Sequence, residues 1–301
     1  MNNNYCSLVS AHVEEPQFAT APVNERFLLL EYDQPWGKDA IEGSRIDAEV
    51  KTFLDEQIRK DIFSRILLIR GGPRNKDNSV LHVFACNNRS SDPFLRLHRI
   101  KEYRELLTLD IAALFNKEEE GLIREPLYLV CTNGKTDKCC SRFGLPVYQA
   151  LKRLGTNIWQ ASHVTGDRFA PNVVQIPYTH YYGRLQLAEL QEFYTTMQQG
   201  LIYRQQYRGR ASFTQEQQAT EHFLRESLDD YRYEGIRFLH SATPEEGVIE
   251  SSFYCEGRGT FLVRVRLSLS EEEFLLNCDQ KKSKVKVYTL DSIVEAGPGR
   301  P

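Results

Sequence analysis

The chain has 301 residues, of which 41% are hydrophobic and 26% are charged, so we expect a packed globular protein with one to three domains. Its formal charge of −3 at pH 7 gives no overall attraction to nucleic acid or to an anionic membrane surface. No apolar run approaches the roughly 20 residues that a membrane helix needs, and the first residues show no secretory signal pattern.

Apolar periodicity predicts short buried strands that alternate with helices after a polar N-terminal arm. Such alternation is typical of an α/β layer architecture. The apolar runs at 28–32 and 127–131 are candidates for corresponding strands of two related halves, although they are too short to establish a repeat. In chain order, the predicted strands are 26–32, 66–69, 80–85, 94–97, 127–131, 158–161 and 173–176, and the predicted helices are 46–63, 103–115, 146–154 and 185–197.

From about Thr214 the pattern changes to one helix followed by several strands. The stretch FLVRVRLSL at 261–269 alternates apolar and polar residues, which is typical of a sheet with one face in water. We therefore predict a small C-terminal α+β domain. The predicted organisation is a polar arm at 1–24, an N-terminal α/β half at 25–120, a second half with the site at 121–210, and the C-terminal domain at 211–301.

Seven cysteines are spread over the chain, an odd number that is typical of free or metal-bound thiols in a reducing compartment. We therefore expect a cytoplasmic protein rather than a secreted disulfide scaffold. Cys86, Cys255 and Cys278 lie away from the other chemistry and are interpreted as packing residues.

The most informative segment spans residues 127–172, where strand ends and a helix start carry three cysteines, a histidine and an aspartate. Cys131 closes a strand, so its sulfur is expected at the carboxyl edge of the sheet, where α/β proteins place their sites. Cys139 and Cys140 come at the start of a helix, where backbone N–H groups and the helix dipole favour a thiolate. Because adjacent residues project in different directions, we expect these two cysteines not to serve one site equally.

His163 follows the next strand, and Gly166 permits a turn that brings Asp167 toward the same edge. Soft ligands clustered at strand ends suit an iron–sulfur centre, so the pattern indicates a redox protein rather than a hydrolase. Zinc is an alternative, although the eight residues between Cys131 and Cys140 do not fit the spacing of structural zinc sites. A thiol redox protein without a metal is a third interpretation, and the absence of C-x-x-C argues against it.

Arginines surround this segment, and motifs for other chemistries are absent. We interpret each of these arginines as a solvated surface residue; the alternatives are that the arginines offset the negative charge of a cluster or guide an anionic partner. The sequence contains no G-x-x-x-x-G-K-[ST], G-x-S-x-G or H-E-x-x-H motif. The arginines in question are Arg168, Arg184, Arg208 and Arg210.

The stretches CTNGKTDKCCSRFGLPVYQAL, SHVTGDRFAPN and YYGRL resemble the sucrase/ferredoxin-like family of thioredoxin-fold 2Fe–2S proteins. LLLEYDQPWGKDA and YRGR extend the resemblance, which covers roughly residues 20–290. It implies a thioredoxin-like layered sheet with helices, and a 2Fe–2S cluster held by two cysteines and two histidines. By this resemblance the cysteines are Cys131 and Cys140, and the first histidine is His163.

Asp167 stands where the H-x-x-x-H form of the family has its second histidine, so the resemblance does not supply the fourth ligand. Asp167, Cys139, His180 and a water molecule are the remaining candidates. The family's name hints at sucrose cleavage, but nothing in the sequence singles out the pair of carboxylates that a glycosidase needs. We therefore expect an electron-transfer protein with a 2Fe–2S cluster and an unknown redox partner protein. The alternative is an interaction protein that zinc stabilises.

Overall fold

The computed structural model describes residues 5–72, 80–89 and 92–296, which form a ten-stranded mixed sheet, a four-stranded antiparallel sheet and a two-stranded hairpin. None of the helices in these ranges is long and apolar enough to cross a membrane. The α-helices of the described ranges are α1 (Cys6–His12), α2 (Ala48–Arg59), α3 (Lys138–Leu154), α4 (Leu190–Gln198) and α5 (Gln215–Leu228). The strands are β1 (Arg26–Glu31), β2 (Arg65–Arg70), β3 (Leu81–Asn87), β4 (Phe94–Ile100), β5 (Leu122–Ile123), β6 (Leu127–Cys131), β7 (Ile158–Ala161), β8 (Val173–Ile176), β9 (His180–Tyr182), β10 (Tyr207–Arg210), β11 (Ile236–Glu245), β12 (Val248–Cys255), β13 (Gly259–Leu269), β14 (Phe274–Leu275), β15 (Lys282–Ser283) and β16 (Lys286–Glu295).

The large sheet is built from two halves with the same connectivity, and its strand order is β10-β9-β8-β6-β7-β2-β1-β3-β4-β5. In each half a strand, a helix and a parallel strand are followed by two antiparallel strands. The halves meet where β2 pairs antiparallel with β7. β1 and β6 therefore occupy equivalent positions, as the apolar runs at 28–32 and 127–131 suggested.

The central strands are buried because they consist almost entirely of apolar residues. Leu28 and Leu30 belong to a cluster that α2 covers, while alternate residues such as Leu29 face the other side of the sheet. In the second half, Val130 packs with α3 and α4, and Cys131 faces the cluster that contains Leu29. The cysteine at the end of β6 is thus held by the apolar core.

Two predicted helices differ from the structure. The segment 103–115, predicted as one helix, forms two short 3-10 turns at Tyr103–Leu107 and Ala112–Phe115. The side chain of Asp110 interrupts a continuous helix because it accepts a hydrogen bond from the N–H of Ala113 at 3.1 Å. The other difference is that α3 begins at Lys138, well before the predicted start at Pro146.

Residues 5–24 differ from the loosely held polar arm predicted for 1–24. They contain α1, and the side chains of Cys6 and Ala21 are fully buried. Ion pairs and hydrogen bonds anchor this segment, since the Arg168 guanidinium donates to Glu15 at 2.7 Å and Arg184 donates to the Ser10 carbonyl at 3.0 Å. Residues 1–4 lie outside the described residues.

The change of pattern near Thr214 corresponds to a separate C-terminal antiparallel sheet. This sheet has the order β11-β12-β13-β16, and α5 packs on it through Ala219 and Leu224. The hairpin formed by β14 and β15 pairs apart from this sheet, and its turn carries Cys278. The mixed α/β class and the C-terminal antiparallel sheet are confirmed, whereas the boundary at residue 211 stays a prediction.

Candidate metal centre

The loop between β6 and α3 positions the cysteines. Asp137 caps α3 by accepting a hydrogen bond from the Cys139 N–H at 2.8 Å, and the Cys140 N–H donates to the Asp137 carbonyl at 3.1 Å. Gly144 allows α3 to lie close to β6, because a Cβ atom at this position would lie 2.0 Å from the Cys131 carbonyl oxygen. The cap and the close helix contact together fix both ends of the loop.

Cys131, Cys140 and His163 converge at this edge of the sheet. Their ligand atoms, two Sγ atoms and one ring nitrogen, all lie within 4.8 Å of one another. Asp167 adjoins them, since its Oδ1 lies 3.4 Å from the Cys140 Sγ and 3.3 Å from the His163 Nδ1. The structure thus brings together the four residues that the sequence singled out, which we call the histidine group.

The histidine group is enclosed on its sulfur side and partly open on its other side. Cys131 and Cys140 are buried, whereas the side chains of His163 and Asp167 remain 23% and 14% exposed. A pocket of about 360 Å³ borders His163 and is also lined by Arg65, whose guanidinium donates to the His163 carbonyl at 2.7 Å. Solvent or a docked molecule can therefore approach through the histidine and aspartate.

The two thiols of the histidine group have pKa values that move in opposite directions. A hydrogen bond from Cys140, supported by His163, lowers the pKa of Cys131 well below its usual value despite burial. The same contact and burial raise the pKa of Cys140. Burial opposes the charged form of His163, but the hydrogen bond and charge of Cys131 raise its pKa overall, and burial raises the pKa of Asp167 to about 6. The group thus favours a Cys131 thiolate beside a protonated Cys140, and a cation bound to both sulfurs would displace the Cys140 proton.

The donors of the histidine group fit a soft or borderline metal centre. Two sulfurs and an imidazole suit both zinc and iron–sulfur chemistry. The buried Nδ1 of His163 pairs with the Asp167 Oδ1 at 3.3 Å, so a metal bound at this nitrogen would lie beside the aspartate.

A second set of ligand-bearing residues lies next to the first, and we call it the three-cysteine group. The Sγ of Cys139 lies 3.5 Å from the Cys6 Sγ and 3.2 Å from the Cys278 Sγ. The Sγ atoms of Cys6 and Cys278 are 3.6 Å apart. The Asp137 Oδ2 lies 3.8 Å from the Cys6 Sγ and accepts a hydrogen bond from the Cys278 N–H at 2.7 Å. These ligand atoms lie within 4.8 Å of one another, so this group could also hold a metal.

The three-cysteine group changes the roles that the sequence suggested for several cysteines. Cys139, the alternative ligand, lies in this group and not with His163, which agrees with the expected divergence of Cys139 and Cys140. The interpretation of Cys278 as a packing residue is wrong, because its sulfur contacts those of Cys6 and Cys139. The two adjacent cysteines at 139 and 140 were the one sequence feature that indicated a second site. No motif around Cys6 or Cys278 indicated that they belong to it.

His180 belongs to neither group. It is fully buried in β9, its Nδ1 lies 3.1 Å from the Gln175 Oε1, and its ring packs near Tyr178 and Tyr233. Burial lowers its pKa well below the usual value. The structure therefore removes His180 from the candidate ligands.

Arg208 is a buried structural residue and not the solvated surface residue that the sequence suggested. It is 1% exposed, and its guanidinium donates to the Asn172 Oδ1 and to the Thr20 carbonyl, both at 2.7 Å. It also lies against Gly166, where a Cβ atom would come within 2.4 Å of the guanidinium. Arg208 therefore supports the turn that presents Asp167.

Comparison with protein families shows where the chain belongs. The model of the sucrase/ferredoxin-like family matches residues 18–209, which is well over half of the chain. The chain is a member of the sucrase/ferredoxin-like family. Comparison with curated proteins and with solved structures finds no significant match. The matched residues of this sucrase/ferredoxin-like protein include the whole histidine group but neither Cys6 nor Cys278.

Proposed function

We propose that this sucrase/ferredoxin-like protein is a thioredoxin-like electron-transfer protein that binds one 2Fe–2S cluster at the histidine group. The observation that supports this most is the convergence of Cys131, Cys140 and His163 from a strand end, a helix start and a second strand end. Packing of buried thiols alone gives no reason for an imidazole and a carboxylate to join them.

The ligands divide into two pairs in this proposal. Cys131 and Cys140 hold one iron, and His163 with Asp167 holds the other. The cluster supplies a one-electron redox couple when it is bound. With two histidines, the second iron would have two neutral imidazole ligands. The Asp167 carboxylate adds one negative charge in place of one imidazole, and this lowers the reduction potential.

The connectivity of the large sheet supports the thioredoxin-like part of the proposal. Each half contains a strand–helix–strand unit followed by a hairpin, and its four strands lie in the order fourth, third, first, second. Only the second half carries the cysteines at its first strand end and helix start. The first half therefore extends the sheet and covers one side of the site through Arg65.

Electron exchange in this proposal takes place at the open side of the histidine group. His163 and Asp167 are the members that solvent reaches, so a redox partner protein would dock against them. No enclosed substrate pocket is required for this function. The partner itself is unidentified.

A zinc-stabilised interaction protein is the second candidate function. It is favoured by the compactness of the histidine group, since three donors within 4.8 Å of one another suit a single ion. In that case His163 and the two cysteines would hold zinc, and the protein would carry no redox couple.

The metal content of anaerobically purified protein separates the two functions. We expect red-brown protein with about two iron and two sulfide ions per chain, and a paramagnetic signal after reduction. Cys131→Ser should lose the iron, whereas Cys255→Ser, a buried cysteine in the C-terminal sheet, should keep it. Colourless protein whose zinc is lost in Cys131→Ser would establish the second function and overturn the first.

A further inference from the structure

The three-cysteine group joins parts of the chain that are far apart in sequence. Cys6 begins α1, Asp137 and Cys139 stand at the start of α3, and Cys278 lies in the turn of the β14–β15 hairpin. Cys6 and Cys278 both lie outside the residues matched by the family model. The match to the family model therefore does not account for two of the three cysteines in this group.

The geometry of the sulfur atoms is that of a metal site. In a tetrahedral zinc site with Zn–S bonds of about 2.3 Å, the sulfur atoms lie about 3.8 Å apart. The separations among the Sγ atoms of Cys6, Cys139 and Cys278 are 3.2, 3.5 and 3.6 Å, so two of the three lie within about 0.3 Å of that value and the third is about 0.6 Å shorter. A disulfide would join only two of the three sulfur atoms. It would not explain why the third sulfur lies at a similar distance from both of them.

We propose that Cys6, Cys139 and Cys278 bind one structural zinc ion, with the Asp137 carboxylate as the fourth ligand. The Asp137 Oδ2 lies 3.8 Å from the Cys6 Sγ, close to the roughly 3.6 Å expected between sulfur and oxygen ligands of one zinc ion. Four protein ligands and no open position are typical of structural rather than catalytic zinc.

Backbone N–H groups already orient the ligands of this site. The Cys139 N–H donates to the Asp137 Oδ1 at 2.8 Å, and the Cys278 N–H donates to its Oδ2 at 2.7 Å. The Cys6 N–H points at the Cys278 Sγ at 3.4 Å. Such contacts fix ligand orientation and stabilise the negative charge that three thiolates and a carboxylate bring to a divalent cation. Cys6, Asp137 and Cys139 are buried, so water does not compete strongly for these positions.

The zinc ion would fasten both ends of the chain to the loop that carries the redox ligands. Few apolar contacts surround the group, which packs with Ala170, Tyr5, Phe143 and Leu275. Because Cys139 and Cys140 are consecutive residues, the ion would also hold the start of α3 beside the histidine group. The zinc count and ligand set given below rest on the proposed function, in which the histidine group holds iron; zinc there would add a second ion with a nitrogen ligand, which Cys131→Ser removes.

The test measures zinc in the full-length protein expressed with zinc and desalted under reducing conditions. We expect about one tightly held zinc ion per chain, falling to about a tenth of that in Cys6→Ser and in Cys278→Ser. Cys255→Ser is the matched control and should keep its zinc. Cys131→Ser should also keep its zinc while losing any iron, which separates failure of this inference from failure of the proposed function.

X-ray absorption at the zinc edge tests the ligands in the unaltered chain, so the inference remains testable where a serine variant fails to fold. Three sulfur ligands and one oxygen ligand are expected. Any one of four results would overturn the proposal. These are unaltered protein without zinc, zinc with nitrogen ligands, full zinc retention in Cys6→Ser and Cys278→Ser, and a disulfide among these three cysteines.

Discussion

Among single residues, Asp167 determines the charge of the histidine group. Its Oδ1 lies 3.4 Å from the Cys140 Sγ and 3.3 Å from the His163 Nδ1. It stands where the resemblance to the family implies a second histidine. A carboxylate ligand carries one negative charge more than a neutral imidazole. The proposed cluster should therefore have a lower potential than a centre with two histidines.

Asp167→His should raise the midpoint potential by an amount on the order of 100 mV, because one negative charge leaves the site. The potential should also depend more strongly on pH, since the new imidazole can itself lose a proton. Voltammetry of the anaerobic protein measures both quantities. Asp167→Asn serves as the control that removes the charge without supplying an imidazole. An unchanged midpoint and slope in Asp167→His would show that Asp167 is not a ligand.

Glu221 is a second residue whose charge we expect to affect stability. It lies in α5, which contributes no residue to the histidine group or the three-cysteine group. It is fully buried between Arg210 and Arg225, and the Arg225 guanidinium donates to its Oε1 at 2.9 Å. Burial alone would raise the pKa of Glu221, but the two arginine charges outweigh it and lower the pKa to about 2. This carboxylate therefore stabilises the fold above the pKa of the unfolded state, about 4.3, and the contribution is lost as the pH falls toward 2.

Glu221→Gln should lower the free energy of unfolding by about 3 kcal/mol at pH 7, because it leaves the buried guanidinium of Arg225 and the partly buried one of Arg210 without their counter-charge. The difference from the unaltered chain should narrow as the pH falls from about 4 toward 2. Urea unfolding over this pH range measures the difference. Glu226→Gln, an exposed position on the same helix, should change little. A difference that stays constant with pH would contradict the assignment.

At the scale of secondary structure, the contact between α3 and β6 places the cysteines. Gly144 faces the backbone of Cys131, and backbone atoms cannot move aside as a flexible side chain can. Any side chain at this position must push the helix away from the strand. Cys140 would then move away from Cys131.

Gly144→Ala should destabilise the protein by about 1–3 kcal/mol and reduce its iron content, because the added methyl group overlaps the Cys131 carbonyl oxygen. Thermal unfolding and iron analysis of the purified variant measure these effects. Gln149→Ala, at an exposed position of the same helix, is the matched control and should leave both quantities near their original values. Unchanged stability together with unchanged iron content would mean that the helix contact does not position the ligands.

The strands were more predictable than the helix starts, for physical reasons. The strands at 127–131, 158–161 and 173–176 agree with the prediction residue by residue, because buried apolar runs bounded by polar residues have few alternatives. The start of α3 was missed because its capping residue, Asp137, stands in a polar loop and Pro146 is more typical of a first turn. The helix predicted at 103–115 failed because a local side-chain hydrogen bond at Asp110 competes with the helix.

At the scale of the whole molecule, the histidine group and the three-cysteine group differ in how far the sequence could reveal them. The histidine group lies within one strand–helix–strand stretch, so spacing and a family resemblance placed its four members together. The three-cysteine group depends on α1 and on the β14–β15 hairpin reaching the same loop from opposite ends of the chain. No local pattern reports such a contact, because it is decided by how the elements pack in three dimensions.

The candidate ligands of the histidine group are confined to one half of the large sheet. The two halves share their connectivity, yet only the second presents thiols where its first strand ends. The first half has Glu31 and Tyr32 at the equivalent place. The Glu31 carboxylate accepts a hydrogen bond from the His82 N–H, and the Tyr32 hydroxyl accepts one from the Arg45 N–H, so both side chains hold neighbouring segments. The site is therefore asymmetric within a molecule built from two similar parts.

Mössbauer spectroscopy of iron-57-enriched protein, isolated without oxygen, tests the central claim most directly. After one-electron reduction we expect two different iron environments of equal intensity, one with sulfur ligands only and one that also has nitrogen and oxygen ligands. Both should disappear in Cys131→Ser. A single kind of iron, or two irons with identical all-sulfur surroundings, would contradict the assignment of His163 and Asp167 to one side of a 2Fe–2S cluster.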